Sequence, residues 1–415
     1  MAYPNYGHGA PNYPPPQQGG YGYGAPPPQQ HGYGAPPPQH GGGFFGGHGG
    51  HAPPAGPPPP QQHYGAPPPQ AHYGAPPPQQ SGNLVYLGVP VPAPPPAQPS
   101  PPPPGFNANA AVESIRKATQ GMGTDEKRLI ETLAPLDAWQ MNAVFHTFKA
   151  TTGKDLLSEL ESETSGWFEA ILRAKVLGPV GYDVWLVHRA CDGAGTHEDI
   201  LNEVLLCRTN AEMWSLKQAY RAMYGKDMER IVEGDLSLKT KRLFTMALQC
   251  QRTEDWAPVD QGLVQHDVKE LKSAARGAGT DEIKICSILT QRSTPHLRAV
   301  AHAYGHKTHA LRDMVRSEFS GHMEDALLYI VATVEGQGPY GVERDANLIE
   351  ASMAGMGTKD ERLVYRLARA HWDRARFEEI KRYYGATIHK KGLAHRVNGE
   401  TSGDYKRMLL AIVGN

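Results

Sequence analysis

Four copies of a short glycine and threonine motif mark the residues whose types and spacing could perform chemistry. The copies read GMGTDE at Gly121, GAGTHE at Gly193, GAGTDE at Gly277 and GMGTKDE at Gly355. An acidic residue follows each threonine after about 40 positions, and these acids are Glu163, Asp235, Glu318 and Glu400. A single such motif is a weak signal. Four copies at near-constant spacing indicate an internal repeat of roughly 70 residues.

The loop and the distant acid together suit a hard divalent cation. Glycine adopts positive φ easily and leaves its carbonyl accessible, while threonine favours the N-cap of a following helix. These features alone would describe only a turn between helices, but such a turn does not require the distant acid. Calcium accepts backbone carbonyls and a bidentate carboxylate among ~6–8 oxygen ligands. Two or three loop carbonyls and one acid would fill part of that shell, and water or a lipid phosphate would complete it.

Signatures of other functions are missing from the sequence. It contains no EF-hand loop, no phosphate-binding GxxxxGK[ST], no GxSxG and no HExxH, so we expect no enzyme. His302, His306 and His309 are interpreted as surface residues. Four separated cysteines without a CxxC pair argue against a zinc knuckle or a disulfide framework and favour a reducing compartment. With 41 basic and 42 acidic residues, the chain is not expected to bind nucleic acid.

The elements that must position the loops are predicted to be helices. Hydrophobic residues recur at three- and four-residue steps between each loop and its acid. In the first repeat, breaks at 135–137, 153 and 162–166 leave segments of about 10–14 residues, and a segment at 112–119 adds a fifth. No stretch shows the alternation of a strand. We therefore predict an all-α fold of four five-helix repeats, at 108–178, 180–254, 263–335 and 340–415.

Residues 1–106 differ in composition from the rest of the chain. They hold 33 of the 38 prolines, no charged residue occurs before Glu113, and YGAPPPQ recurs from Tyr23, Tyr33, Tyr64 and Tyr73. The segment is predicted to be a disordered tail with local polyproline II that does not dock on the charged part. Its tyrosines could support self-association or binding to proteins that read polyproline II, or the tail could be a spacer. Metal binding by its seven scattered histidines is a weaker alternative.

The predicted location is cytoplasmic. The N-terminus lacks the basic and apolar regions of a secretory signal, and no apolar run reaches 18 residues. Any contact with a membrane would therefore be made from solution.

The four repeats resemble the annexin family across roughly residues 108–415. The resemblance lies in G-x-G-T followed some 38–42 residues later by Asp or Glu, before a TSG-like helix start. It implies a slightly curved all-α disc with calcium loops on its convex face. It also implies calcium-dependent, reversible binding to acidic phospholipids on cytosolic membrane faces such as the plasma membrane and vesicles, in vesicle aggregation, trafficking or membrane repair. The tail is similar in composition to the tails of long-tailed annexins.

The family's calcium ligands, carried over by position, are loop carbonyls and the distant carboxylate. They are Thr119, Gly121, Gly123 and Glu163; Cys191, Gly193, Gly195 and Asp235; Ala275, Gly277, Gly279 and Glu318; and Met353, Gly355, Gly357 and Glu400. The fourth and first sites rank above the third. The second ranks last, because Leu238 replaces a glycine after the acid and this change is expected to move Asp235. Met122 and Met356 would form loop tips nearest the lipid, unless they fold back on their own loops.

A helical-repeat scaffold that binds proteins without metal is the alternative function. In such a scaffold the glycine loops would be turns only. A scaffold has no need of acids at equivalent places in the repeats, and this difference favours the calcium-dependent function.

Overall fold

The computed structural model describes residues 84–93, 100–193, 195–276, 279–305, 310–336 and 338–414, and of Leu238 only the backbone. The chain divides into two compact units, Met1–Pro67 and Pro68–Asn415, and every described residue belongs to the second. The YGAPPPQ copies and the seven tail histidines lie outside the described residues. So do Ala194, Gly277, Ala278, His306 and His309.

Nineteen α-helices account for most of the described chain. Repeat 1 contains α1 (Ala108–Thr119), α2 (Glu126–Leu133), α3 (Ala138–Thr152), α4 (Leu156–Glu163) and the first part of α5 (Gly166–Ala190). Repeat 2 contains the second part of α5, then α6 (Glu198–Leu205), α7 (Asn210–Tyr224), α8 (Met228–Asp235) and α9 (Leu238–Leu248). Gly178, with φ 68° and ψ −179°, breaks α5 just before Pro179, so one helix pair joins the two repeats directly.

Repeats 3 and 4 follow the same plan. Repeat 3 contains α10 (Gln261–Ala274), α11 (Glu282–Gln291), α12 (Thr294–Tyr304), α13 (Leu311–Glu318) and α14 (Gly321–Glu335). Repeat 4 contains α15 (Val342–Met353), α16 (Asp360–Trp372), α17 (Arg374–Tyr383) with a π-helical turn at Tyr384–Ile388, α18 (Gly392–Glu400) and α19 (Gly403–Val413). The predicted all-α fold of four five-helix repeats is confirmed. No helix in the part of the chain that the structure describes is long and apolar enough to cross a bilayer.

Helix α3 shows how the local sequence sets these elements. Asp137 accepts the Gln140 N–H at 2.8 Å, and the Gln140 side chain accepts the Asp137 N–H at 3.1 Å, which forms a capping box. Gly153 ends the helix at φ 73°. Between these two ends, Val144 and Phe148 are buried four residues apart on one face. The sequence therefore specifies the start, the end and the buried face of α3.

Leu84–Val91 form a β-hairpin inside the segment that was predicted to be disordered. Strands β1 (Leu84–Tyr86) and β2 (Val89–Val91) pair antiparallel around Leu87 and Gly88, which have φ of 54° and 83°. Two residues of positive φ are typical of a two-residue turn that matches the twist of the strands. Pro90 faces Val85, next to the hydrogen-bonded pair that flanks the turn, so no N–H is required there. The predictions of a tail disordered to residue 106 and of a fold without strands are wrong for this hairpin.

The hairpin docks on repeats 1 and 2. Tyr86 is fully buried, and its hydroxyl donates to Asp183 Oδ2 at 2.8 Å. The Leu87 N–H donates to Glu212 Oε1 at 2.7 Å, and Trp139 Nε1–H donates to the Pro90 carbonyl at 3.0 Å. The expectation that this region cannot dock is therefore also wrong. That expectation rested on the lack of charged and aliphatic residues in the tail. It overlooked Tyr86, whose hydroxyl reaches the buried Asp183.

Buried carboxylates join repeat 2 to repeat 4. Asp183 of α5 accepts from Arg369 of α16 at 2.8 Å and from Arg208 at 3.1 Å. Glu203 of α6 accepts Arg366 Nε of α16 on both oxygens, at 3.0 and 3.1 Å. Both acids are at least 95% buried. Because a buried charge without a partner is costly, each repeat depends on the other for neutralisation.

A buried lysine joins repeat 1 to repeat 4. Lys175 of α5 donates to the Leu136 carbonyl at 2.7 Å and contacts His371 Nε2 of α16 at 2.9 Å. Its ammonium also lies 4.4 Å from the ring centroid of Trp372. Burial, followed by the charge of Arg374, lowers the pKa of Lys175 to about 7. The arrangement supplies acceptors and an aromatic face to a cation that cannot reach water.

Candidate functional site

Each glycine loop is closed by the same backbone hydrogen bond. The residue after the threonine donates its N–H to a carbonyl near the end of the preceding helix, at 2.8–3.0 Å; the pairs are Asp125 to Ala118, His197 to Ala190, Asp281 to Ala274 and Lys359 to Ser352. In the first loop, Gly121 and Gly123 have φ of 111° and 90°. Side chains rarely tolerate that conformation, so glycine is required for the path of the loop.

The recurring acid of every repeat lies against the threonine of its own loop. Thr124 donates to Glu163 Oε2 at 3.2 Å, Thr196 to Asp235 Oδ2 at 2.5 Å, Thr280 to Glu318 Oε2 at 2.6 Å and Thr358 to Glu400 Oε2 at 3.2 Å. In three of the four repeats the hydroxyl also lies 3.0–3.1 Å from the backbone carbonyl of the acid. The structure therefore brings the loop and the acid of each predicted site together.

These contacts correct the role expected for the threonines. Asp125 caps α2 by accepting the Arg128 N–H at 2.9 Å, and Asp281 caps α11 by accepting the Lys284 N–H at 3.1 Å. That backbone hydrogen bond from Arg128 is the main cause of a lowered pKa for Asp125. The prediction that the threonines are N-caps is wrong, because their hydroxyls point across to the acid.

The loops fall into two pairs by local geometry. The preceding helix ends at Thr119 in repeat 1 and at Met353 in repeat 4. It ends one position earlier, at Ala190 and Ala274, in repeats 2 and 3. In the third loop Gly279 has φ 147°, while the described glycines of the other three loops lie between 83° and 111°. Repeats 1 and 4 therefore share one loop geometry.

The second repeat retains its contact despite Leu238. Ser237 before it has φ −68°, whereas Ser165, Ser320 and Ser402 at the same place have φ near −150°. Thr196 nevertheless reaches Asp235 at 2.5 Å. Burial, helped by the charge of Asp235, raises the pKa of the Cys191 thiol in the same loop to about 12. The expectation that losing the glycine moves Asp235 away from the loop is wrong, because the chain adjusts at Ser237.

The fourth repeat absorbs its three extra residues within helices. Helix α16 has 13 residues where α2 has eight, and it takes over most of the loop that follows α2 in repeat 1. Helix α18 has nine residues where α4 has eight. The distance from the Thr358 hydroxyl to Glu400 Oε2 equals that from Thr124 to Glu163. The insertion leaves the relation of loop and acid unchanged.

An arginine already bridges two predicted ligands of the fourth site. Arg396 of α18 donates through Nη2 to the Met353 carbonyl at 2.5 Å and through Nη1 to Glu400 Oε1. Its Nε lies 3.4 Å from both carboxylate oxygens of Glu350 in α15. The Tyr384 hydroxyl, from the π-helical turn, donates to Glu350. The cluster of Glu350, Tyr384, Arg396 and Glu400 lies beside the loop of repeat 4.

The donor atoms of the fourth loop fit a calcium ion. The Arg396 guanidinium shows that the Met353 carbonyl and the Glu400 carboxylate converge on one cation. Both donors are hard oxygens of the kind calcium prefers. No group of three or more His, Cys, Asp and Glu side chains gathers around one point within the described ranges. A metal in these loops would therefore depend on backbone carbonyls with a single acid.

The methionines of the first and fourth loops extend into solvent. Met122 and Met356 are fully exposed, so neither is folded back on its loop. Trp167, four residues after Glu163, is 43% exposed. Large apolar side chains next to the loops are therefore available for contact with an apolar surface.

Sequence reasoning missed Arg396 and the Glu350 carboxylate that faces it. A signal was available, because Arg396 precedes the acid by four positions and so lies on the same face of α18. The corresponding residues of the other repeats are Glu159, Ile231 and Met314. Comparison of the repeats at this position would have identified the arginine.

Comparisons with known proteins agree with this geometry. The annexin family model matches residues 110–174, 182–247, 266–330 and 344–412. Annexin C1 of Cryptococcus neoformans var. grubii is 50% identical over 333 residues, which are 80% of this chain and 70% of that protein. Annexin A7 of Homo sapiens is 36% identical over 314 residues, which are 74% of this chain and 62% of that protein.

Solved structures give the same result. Annexin III superposes with a TM-score of 0.69 at 30% identity, covering 76% of this chain and 96% of its own. Chicken annexin V superposes with a TM-score of 0.66 at 31% identity, covering 76% of this chain and 98% of its own. With four helical repeats that each join a glycine loop to a distant acid, and with the family matched in all four, this chain belongs to the annexin family.

Proposed function

We propose that this chain binds acidic phospholipid membranes through calcium ions held in its glycine loops. Annexins are calcium-dependent phospholipid-binding proteins, and the observation that carries the proposal here is the threonine-to-acid contact found in all four repeats. This contact holds a carboxylate against the loop, whose glycine carbonyls would be its fellow ligands. Such a partial shell leaves coordination positions that a lipid phosphate can fill.

The charge balance supports a bridging metal. The formal net charge is −1 at pH 7, so the chain as a whole is not attracted to an anionic surface. Proteins that bind acidic lipid directly use clusters of Lys and Arg. A divalent cation shared by a carboxylate and a phosphate provides the attraction instead. The exposed Met122 and Met356 would add apolar contact with the interface once the loops reach it.

Co-sedimentation with vesicles tests the proposal. The full chain is expected to pellet with phosphatidylserine vesicles in calcium, to be released by EGTA, and to bind phosphatidylcholine vesicles weakly. Glu163→Gln removes the charged ligand of the first loop, so the calcium midpoint should rise by roughly three- to tenfold. Glu161→Gln is the matched control, because Glu161 lies in the same helix but pairs with Arg173 at 3.1 Å.

Equal binding to phosphatidylserine vesicles with and without calcium would refute the metal bridge, and no binding in either condition would favour the protein scaffold. A Glu161→Gln shift as large as the Glu163→Gln shift would refute the assignment of the acid. Within this function, roles in vesicle aggregation, trafficking or membrane repair on cytosolic membrane faces form part of the same proposal. Self-association through the tyrosine repeats of the tail would serve such aggregation. Vesicle clustering with and without residues 1–83 measures that contribution.

A further inference from the structure

Arg396 occupies the position where the proposed function places calcium in the fourth repeat. Its guanidinium bonds to the Met353 carbonyl and to Glu400, and these are two of the four predicted ligands. The Arg396 side chain is 21% exposed and that of Glu400 is 25% exposed, so the pair is partly shielded from water. A charge-assisted hydrogen bond in such a place is stronger than a neutral one.

The other repeats lack this arrangement. At the position of Arg396 they carry Glu159, Ile231 and Met314, and at the position of Glu350 they carry Arg116, His188 and Lys272. In repeat 1 the acid and the base are therefore exchanged: Glu159 stands where repeat 4 has Arg396, and Arg116 stands where repeat 4 has Glu350. There Glu159 lies 3.4 Å from the Thr119 hydroxyl, so a second acid, not a base, borders the first loop. Among the described residues, only Arg396 forms an ion pair with one of the four loop acids.

We propose that Arg396 is an internal cation of the fourth site, and that calcium must displace it to bind there. The inference rests on the proposed function and describes the regulation of the same site. A guanidinium and a calcium ion cannot both bind Glu400 Oε1 and the Met353 carbonyl, because like charges at that separation repel strongly. Binding of one cation therefore requires release of the other.

Glu350 provides the released arginine with a partner. Its two oxygens already lie 3.4 Å from Arg396 Nε, and the Tyr384 hydroxyl holds the carboxylate in place. Rotation of the outer guanidinium nitrogens toward Glu350 keeps the charge paired when Glu400 turns to calcium. The exchange thus breaks the contacts of Arg396 with Glu400 and Met353, but the partly shielded guanidinium keeps Glu350 as a partner.

The consequence is that calcium should fill the first and fourth sites in the reverse of the order in which their motifs match the family pattern. The fourth loop matches the family pattern most closely, yet it begins with a cation in place. The first loop shares its geometry, and no cation among the described residues pairs with its acid Glu163. Calcium is therefore expected to fill the first site at lower concentration and the fourth at higher concentration, which gives the membrane response a graded second step.

The test isolates the fourth site in the full chain. Glu163→Gln, Asp235→Asn and Glu318→Gln together remove the acids of the other three sites, and calcium binding is measured by calorimetry without lipid. Adding Arg396→Gln should lower the calcium midpoint at least threefold, since a competing ion pair is lost. Arg173→Gln is the matched control: Arg173 pairs with Glu169 one helical turn away and is 20% exposed, but lies outside the loops.

A structural role alone cannot produce this result, because loss of a merely structural ion pair would weaken the site or leave it unchanged. An unchanged or raised midpoint for Arg396→Gln, in a chain that does bind calcium, overturns the inference and leaves the proposed function intact. Absence of calcium binding to the unmodified chain overturns both. As a second readout, Arg396→Gln should gain more thermal stability from calcium than the unmodified chain does, and an equal gain contradicts the exchange.

Discussion

The hydroxyl of the loop threonine orients the acid of each predicted calcium site. A sequence motif suggests that it caps a helix, since threonine before acidic residues commonly does so. In this chain Asp125 or Asp281 performs that task, or no side chain does, while the threonine orients a carboxylate about 40 residues away. The pairing could have been inferred from the similar spacing of threonine and acid, 38–42 residues, in every repeat. The direction of the hydroxyl depends on how the helices pack, which a local motif does not contain.

Thr124→Val is predicted to weaken the first calcium site without unfolding repeat 1. The substitution removes the donor to Glu163 Oε2 and to the Glu163 carbonyl, which lie at 3.2 and 3.0 Å. A hydrogen bond of this kind contributes about 1 kcal/mol, so the calcium midpoint should rise roughly fivefold. Vesicle co-sedimentation over a calcium series measures the shift. Thr151→Val is the control, because that hydroxyl bonds only within its own helix, and a similar shift there would contradict the role of Thr124.

The hairpin is the element that sequence patterns did not reveal. Pro90 and the neighbouring prolines indicated a broken chain, yet Pro90 lies at a position of the hairpin that needs no N–H donor. The LG pair between two short β-prone segments was a weak turn signal. Nothing local indicated that Tyr86 meets Asp183, because the two are 97 residues apart. The helices could be predicted, by contrast, because each carries its own caps and periodic apolar face.

Truncation on either side of the hairpin is predicted to have unequal effects. A chain that lacks residues 1–93 loses the buried Tyr86 and its bond to Asp183, so it should be about 2–4 kcal/mol less stable than a chain that lacks only residues 1–83. Tyr86→Phe, which removes the hydroxyl alone, should account for roughly 1–2 kcal/mol of that difference. Thermal unfolding followed by circular dichroism compares the three proteins. Identical melting of the two truncated chains would show that the hairpin adds nothing.

At the scale of the whole molecule, the number of repeats and the helices in each could be predicted from the sequence. The buried pairings by which one repeat depends on another could not. The spacing of the four motifs predicts the all-α plan, and each acid is near its loop as expected. Asp183, Glu203 and Lys175 each have at least one partner in another repeat. Such pairings depend on the angle between helices of different repeats. A pattern that treats each repeat as equivalent cannot contain them.

The contact between repeats 1 and 4 is predicted to weaken in mild acid. Burial, followed by the charges of Lys175 and Arg374, lowers the pKa of His371 to about 3. An unfolded histidine has a pKa of ~6.5, so the unfolded chain takes up a proton that the folded chain refuses as pH falls below 6.5. Between pH 7 and 5 this linkage should remove about 2 kcal/mol from the free energy of unfolding.

His371→Gln tests that linkage, since an amide oxygen can still accept from Lys175 but does not titrate. Chemical unfolding at pH 7 and pH 5 gives the stability loss of each protein. The variant is expected to lose less stability than the unmodified chain by about the amount of the linkage. Losses of equal size would place the acid sensitivity elsewhere, for example at His322, whose pKa is lowered to about 4 chiefly by burial.

The shared neutralisation of Asp183 limits how the repeats could be exchanged. Its carboxylate receives Tyr86 from the hairpin, Arg208 from its own repeat and Arg369 from repeat 4. A chimera in which repeats 2 and 3 trade places would keep its helices and calcium loops but would bury this acid away from two of its three donors. The four repeats share one backbone plan but differ in the charged residues that they bury. Duplicating or shuffling them would therefore require compensating substitutions at the new boundaries, and a single excised repeat would carry the cost of its unpaired ions.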